Sequence, residues 1–187
     1  MSIATSWGAT ETERALPLPC DDVLAEPNAV YHRCVTVRAS ADTLFEWLCQ
    51  LRVAPYSYDW VDNFGRRSPR ERDPALRDLR AGQRVMKIFE LASFDDPAHI
   101  TIRLRDARLA GAFFGDIVVT YCILPERDGA CRLLARVVVR YPRGPLGLIA
   151  RLVLPWGDLV MMRRQLLNLC KLAERDDARA IDAVAAR

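Results

Sequence analysis

The sequence predicts an α+β domain: a curved antiparallel sheet wrapped around one long C-terminal helix, with two short helices after the first strand. Two observations predict it. From Pro145 to about Arg175, Leu159, Met162, Leu166, Leu169 and Ala173 recur at spacings of three and four. Arg163, Arg164, Lys171, Glu174 and Arg175 fall on the opposite side, the pattern of a helix lying on a core. Between residues 30 and 141, short alternating runs end in turn signals, the pattern of antiparallel strands with one apolar face. A sheet that curves around one helix tends to leave space between them, and so points to a container for something apolar.

Taken in order, residues 1–29 are polar and proline-marked, with Pro17, Pro19 and Pro27 opposing regular helix, and are expected to be a flexible arm. Tyr31 to Arg38 reads as the first strand. Ser40 is placed to cap a helix whose Leu44, Phe45, Leu48 and Leu51 share a face, and Pro55 limits that helix to about Arg52. Asp59 is placed to cap a second short helix ending at Gly65. The arginine-rich stretch from Arg66 to Arg84 is a solvated connection rather than a phosphate site. Four strands follow: Val85 to Leu91, Ile100 to Arg105, Ile117 to Leu124 and Cys131 to Tyr141. In the last, Leu133, Ala135, Val137, Val139 and Tyr141 face one way, and Arg132, Arg136 and Arg140 face the water. Asp95-Asp96-Pro97 and Arg127-Asp128-Gly129 supply turns. The final helix is expected to break or bend once at Pro155-Trp156-Gly157. One domain over 30–176 and a tail over 177–187 complete the division.

The totals narrow the class. At 187 residues there is room for one full core. A net charge of +3, from 27 basic and 24 acidic residues, does not mark a nucleic-acid partner. The 6 cysteines form no CxxC pair and sit in apolar segments, so reduced thiols and a cytoplasmic setting are expected. No apolar leader precedes residue 29. The apolar run from Leu146 to Met162 holds Arg151, Pro155 and Asp158, which argues against an integral membrane segment. A monomer or weak homodimer is expected.

The strand-Ser40-helix opening, the segment Tyr56-Ser57-Tyr58-Asp59-Trp60 and the tail Asp158-Leu159-Val160-Met161-Met162-Arg163-Arg164-Gln165 together resemble the START-like SRPBCC superfamily. This is the helix-grip fold of polyketide cyclases, lipid-transfer domains and the major birch-pollen allergen. The resemblance covers about residues 30 to 175, and within the superfamily it points to bacterial proteins of unassigned function. It implies a deep apolar cavity between sheet and long helix, and no single activity. The glycine-rich loop of the plant members is replaced here by Ala92-Ser93-Phe94-Asp95-Asp96-Pro97. No cyclase's catalytic residues match position by position, so no catalytic residue is carried over.

The chemistry-bearing residues are few. A metal site would rest on His32 and His99, both beside strand positions expected to point outward; no metal or cofactor is expected. No glycine pair frames a nucleophilic serine, and no phosphate-binding glycine loop is present. Tyr56, Tyr58, Trp60 and Phe64 either plug the open end of the sheet as core or line the cavity mouth. Phe113 and Phe114 place two large rings on a connection. On the inner faces, Phe89, Ile102, Tyr121 and Val137 from the sheet and Met162 from the helix are candidate lining residues. Asp158 and Gln165 border the same helical stripe. Asp158 either caps a helix restarting after Gly157 or orients the polar end of a ligand, with Gln165 and Tyr121 beside it. The favoured reading is a binder of a small hydrophobic molecule such as a lipid, polyketide or aromatic metabolite. The alternatives are a cyclase/aromatase- or hydrolase-type enzyme in the same cavity, and an interaction module using the Arg-bearing outer faces.

Overall fold

A computed structural model describes residues 2–62, 65–105, 114–126 and 129–185, without the side chains of 61, 62, 184 and 185. Among them, seven strands form one sheet: β1 (Ser6–Trp7), β2 (Ala29–Val37), β3 (Arg84–Val85), β4 (Phe89–Asp95), β5 (His99–Leu104), β6 (Asp116–Pro125) and β7 (Cys131–Arg140). Their order is β1-β2-β7-β6-β5-β4-β3. Only the β1–β2 pair is parallel. The helices are α1 (Glu11–Ala15), α2 (Cys20–Val23), α3 (Ala41–Cys49), α4 (Asp59–Asp62) and α5 (Pro145–Ala185).

The registers fix which side chains meet α5. Val137 of β7 lies between Tyr31 of β2 and Val119 of β6, and Leu133 lies between Val35 and Ile123. With side chains alternating along each strand, Leu133, Ala135, Val137 and Val139 all join the core under α5. The expected pairing of 131–141 with 117–124 is therefore present, as is Ser40 capping α3, where its hydroxyl accepts from Thr43 N. Leu44, Phe45, Trp47 and Leu48 of α3 are buried, and the Trp47 ring meets Tyr56 edge-on at 5.8 Å.

Four expectations need correction. First, residues 2–28 form ordered elements that cover the sheet's outer face. Leu18, Cys20 and Leu24 pack on Cys34, Val118, Leu134 and Val138. The prolines do not prevent this because Pro19 immediately precedes α2, where a missing N–H costs nothing. Gly8, at a φ of 73°, lets the segment run against the backbone of Cys34, a contact that a Cβ would block. The outer face is thus largely dry. Arg132 grips Glu13 at 2.7 and 2.9 Å, and Arg136 reaches Asp21 at 2.6 Å and His32 at 3.2 Å. His32 points outward as expected but is buried beneath the N-terminal segment, and burial together with Arg136 pushes its pKa down to about 4.

Second, the strand placed at Val85 to Leu91 is a hairpin. Met86 and Lys87 take φ values of 45° and 67°, turning the chain between β3 and β4 without the glycine that usually marks such a turn. Third, of the break or bend expected at Pro155-Trp156-Gly157 the break is absent, and α5 runs through Pro155 as one helix. Fourth, it does not end at residue 176. Trp47 Nε1 donates to Asp176 at 3.1 Å, and the Ser40 and Thr43 hydroxyls donate to Asp177 at 3.0 and 2.9 Å, which ties the supposed tail to α3.

The Arg132–Glu13 pair makes acid stability testable. Arg132's hydrogen bonds hold the Glu13 carboxyl down to about 2 from 4.5. A folded pKa below the unfolded one stabilises above about 4.5, and that contribution is lost as pH falls toward about 2. Glu13→Gln is expected to cost on the order of 2 kcal/mol at pH 7 and almost nothing near pH 2, measured by urea unfolding across pH.

Candidate functional site

Between the concave face and α5 lies a cavity of about 340 Å³. Its walls are mostly apolar: Ile102, Ile117, Val119, Val137 and Val139 from the sheet, and Leu154, Met161 and Met162 from the helix. The β3–β4 turn closes one side with Met86, Lys87, Ile88 and Phe89. The polar groups reaching in are those of Tyr31, Ser57, Lys87, Tyr121, Asp158 and Gln165.

Most of these groups already have partners. Tyr121 donates its hydroxyl to Gln165 Oε1 at 2.7 Å. Gln165 Nε2 donates to the Pro55 carbonyl at 2.6 Å and contacts Met86 Sδ at 3.4 Å. Gln165 therefore clamps the helix to the sheet on one side and to the segment after α3 on the other. The Tyr31 and Tyr141 hydroxyls are hydrogen-bonded to each other. Burial pushes the pKa of Tyr121 up, keeping a protonated donor in the wall.

Asp158 differs. Its Oδ2 lies 2.9 Å from Arg33 Nη2, and the Arg33 side chain is fully buried. The Arg33 N–H groups are aimed elsewhere: Nη2 donates to the carbonyls of Ala4 at 2.7 Å and Pro155 at 3.3 Å, and Nη1 to the His32 carbonyl at 3.0 Å. Asp158 Oδ2 is left buried beside a positive charge without a directed hydrogen bond. Desolvation outweighs the attraction of Arg33 and raises the Asp158 pKa from 3.8 to about 6. The carboxyl, paired with Arg33 and 15% exposed, is therefore poised between charged and neutral forms in the cavity wall. Capping is excluded as its role, because Asp158 sits inside a continuous helix.

Of the residues anticipated as lining, Phe89, Ile102, Tyr121, Val137, Asp158, Met162 and Gln165 do line the cavity. The aromatic stretch does not. Tyr56 is buried against Trp47, which resolves it as core. Tyr58 carries the Arg164 guanidinium over its ring at 5.9 Å, and Trp60, in α4, is 78% exposed. Phe114 is part-exposed and does not line the cavity. Phe64 and Phe113 lie outside the described residues. Arg33 and Tyr31 were missed. The signal was available: Tyr31, Arg33, Val35 and Val37 alternate, placing an arginine on the buried face of β2. Among the described residues, no group of three or more His, Cys, Asp or Glu side chains gathers as a metal site.

No family model and no curated protein matches the sequence. Solved structures do. A hypothetical protein of Helicobacter pylori is 12% identical, with a TM-score of 0.56 over 88% of this chain and 99% of that one. A Thermobifida fusca protein solved in solution is 13% identical, with a TM-score of 0.51 over 78% of this chain and 93% of that one. A START superfamily protein of Mycobacterium smegmatis is 14% identical, with a TM-score of 0.43 over 81% and 98%. At such identities the likeness concerns the fold alone. The curved, mostly antiparallel sheet gripping one long C-terminal helix is the helix-grip fold.

Proposed function

We propose that this chain binds a small, largely apolar molecule carrying one hydroxyl or amine, with its body in the cavity and its polar end at Asp158. The observation that carries this reading is a mostly apolar cavity with one carboxyl, the part-exposed Asp158, in its wall. Gln165 and Tyr121 then act as structural supports of the wall rather than as ligand contacts, since each has its partner in the protein. The 6 free cysteines suit the reducing, cytoplasmic setting expected for such a carrier.

Titration with an apolar fluorescent dye, followed by displacement with fatty alcohols, aromatic amines and sterol-like alcohols, tests the reading. One-to-one binding is expected, with a higher melting temperature as ligand accumulates. Val119→Phe fills the cavity and is expected to weaken binding at least about tenfold, the effect of an added side chain occupying ligand volume. No binding across the panel, or equal binding by Val119→Phe, removes the proposal.

One observation favours a second reading. A cavity carboxyl with a pKa near 6 is suited to general acid–base work, as a cyclase- or hydrolase-type enzyme would need. Turnover of bound ligand, tracked by mass spectrometry, separates the enzyme from the carrier.

A further inference from the structure

The outer side of α5 carries a surface that the cavity does not use. Ile149, Leu152, Val153, Trp156 and Val160 are all exposed, from 49% at Ile149 to 69% at Leu152. At about 100° per residue they form one stripe, centred roughly a quarter turn or more from the middle of the buried side that holds Pro155, Leu159, Met162 and Leu166. A helix that is apolar all round is ordinarily covered on every side, and this one is covered on one.

The charges around the stripe are of one sign. No acidic residue lies on α5 before Asp158, whose carboxyl is turned inward to Arg33. Arg143 precedes the helix, Arg151 lies along it, and Arg163 and Arg164 close the stripe's far end, all four exposed. Three of these guanidinium groups rest on aromatic rings: Arg151 on Tyr141 at 5.7 Å, Arg163 on Trp7 at 5.4 Å and Arg164 on Tyr58 at 5.9 Å. The rings hold Arg163 and Arg164 at the surface beside the apolar stripe, while Arg151 projects from the far side of the helix, about 160° away.

We propose that this face of α5 docks on an anionic lipid bilayer, the helix lying in the membrane plane with Leu152 and Trp156 among the acyl chains and the arginines among the phosphate headgroups. An apolar stripe with a tryptophan, bordered by arginines, complements that boundary in both polarity and charge. By length and composition the segment Pro145–Ala183 would also cross a membrane. Its inner side, however, holds Asp158 beside Arg33 and Gln165 on Tyr121 and Pro55, and lipid would leave these groups without partners. A second copy meeting the same face would bring the arginines of the two chains together, which opposes that pairing. Apolar surface continues from the stripe past Gly157 to Met161, which lines the cavity. Docking stands whether or not the cavity carries a ligand.

The full chain is incubated with vesicles of phosphatidylcholine alone, or of phosphatidylcholine with phosphatidylglycerol, and pelleted. Binding to the anionic vesicles only, weakened by high salt, is expected. Arg163→Gln and Arg164→Gln should each weaken it about fivefold, the effect of one cation near such a surface. Leu152→Glu should weaken it by more than about tenfold, with the melting temperature unchanged because the side chain is exposed. If Leu152→Glu melts early, Trp156→Ser provides the same comparison. Absence of vesicle binding, binding indifferent to these variants, or a dimer dispersed by Leu152→Glu without any vesicle binding each overturns the proposal, the last by giving the face to a second copy.

Discussion

Leu133→Asp is expected to leave the protein only marginally stable at room temperature. Leu133 is fully buried in β7, between Val35 and Ile123, and lies away from the cavity where water would soften the change. A carboxylate there has no partner and must either stay charged in an apolar medium or take up a proton. The expected cost is on the order of 4 kcal/mol, a large part of the roughly 5–15 kcal/mol that holds a domain together. Leu152→Asp makes the same chemical change at a side chain 69% exposed, and should move stability by no more than about 0.5 kcal/mol. Urea midpoints of the two variants check the assignment. If Leu133→Asp unfolds where the unsubstituted protein does, β7 is a residue out of register and its faces are reversed.

The contrast between those leucines shows what the sequence made legible. Period-two alternation in 131–141 and a three-four spacing from Leu159 to Ala173 are local signals, and both survive in the structure as the face of β7 and the inner side of α5. The order of elements follows from the same signals. What was not legible depends on distant partners. Arg132 and Arg136 read as a wet face because nothing in their own strand announces Glu13 and Asp21, more than a hundred residues earlier, as their cover. The turn at Met86 and Lys87 lacks the glycine that marks positive φ, so the sequence reads as one strand where the chain makes a hairpin. In the site, the inner-face residues Ile102, Tyr121, Val137, Met162 and Gln165 were found by period. The aromatic stretch was misplaced because composition does not give orientation: Tyr56 turns inward and Trp60 outward four residues later. Asp158 was found by spacing, but its partner Arg33 emerges only when β2 is set under α5.

That partnership predicts an asymmetry between its two halves. Asp158→Asn leaves the Arg33 guanidinium, which cannot shed its charge, buried with only carbonyl partners. The expected cost is largest near pH 5 and shrinks by about 1.4 kcal/mol toward pH 8. The unsubstituted protein, with a folded Asp158 pKa of about 6 above the unfolded 3.8, loses stability over that range, and the Asn variant does not. Arg33→Met leaves a carboxyl instead, and a carboxyl can neutralise itself by taking a proton. Losing Arg33 also removes the attraction that holds the Asp158 pKa down, so burial drives it above about 6. Because that folded pKa lies above the unfolded value near 3.8, the native state binds the extra proton. Stability is then retained at low pH and lost as pH rises through the folded pKa. Arg33→Met should therefore be mild at pH 5 and increasingly damaging toward pH 8, while the double variant Arg33→Met/Asp158→Leu recovers much of the loss at every pH. Urea titrations of the three variants at several pH values measure this directly. Equal, pH-independent costs for both single variants, adding without recovery in the double, would show that the two groups do not act on each other and that Asp158 has its acid–base character from some other source.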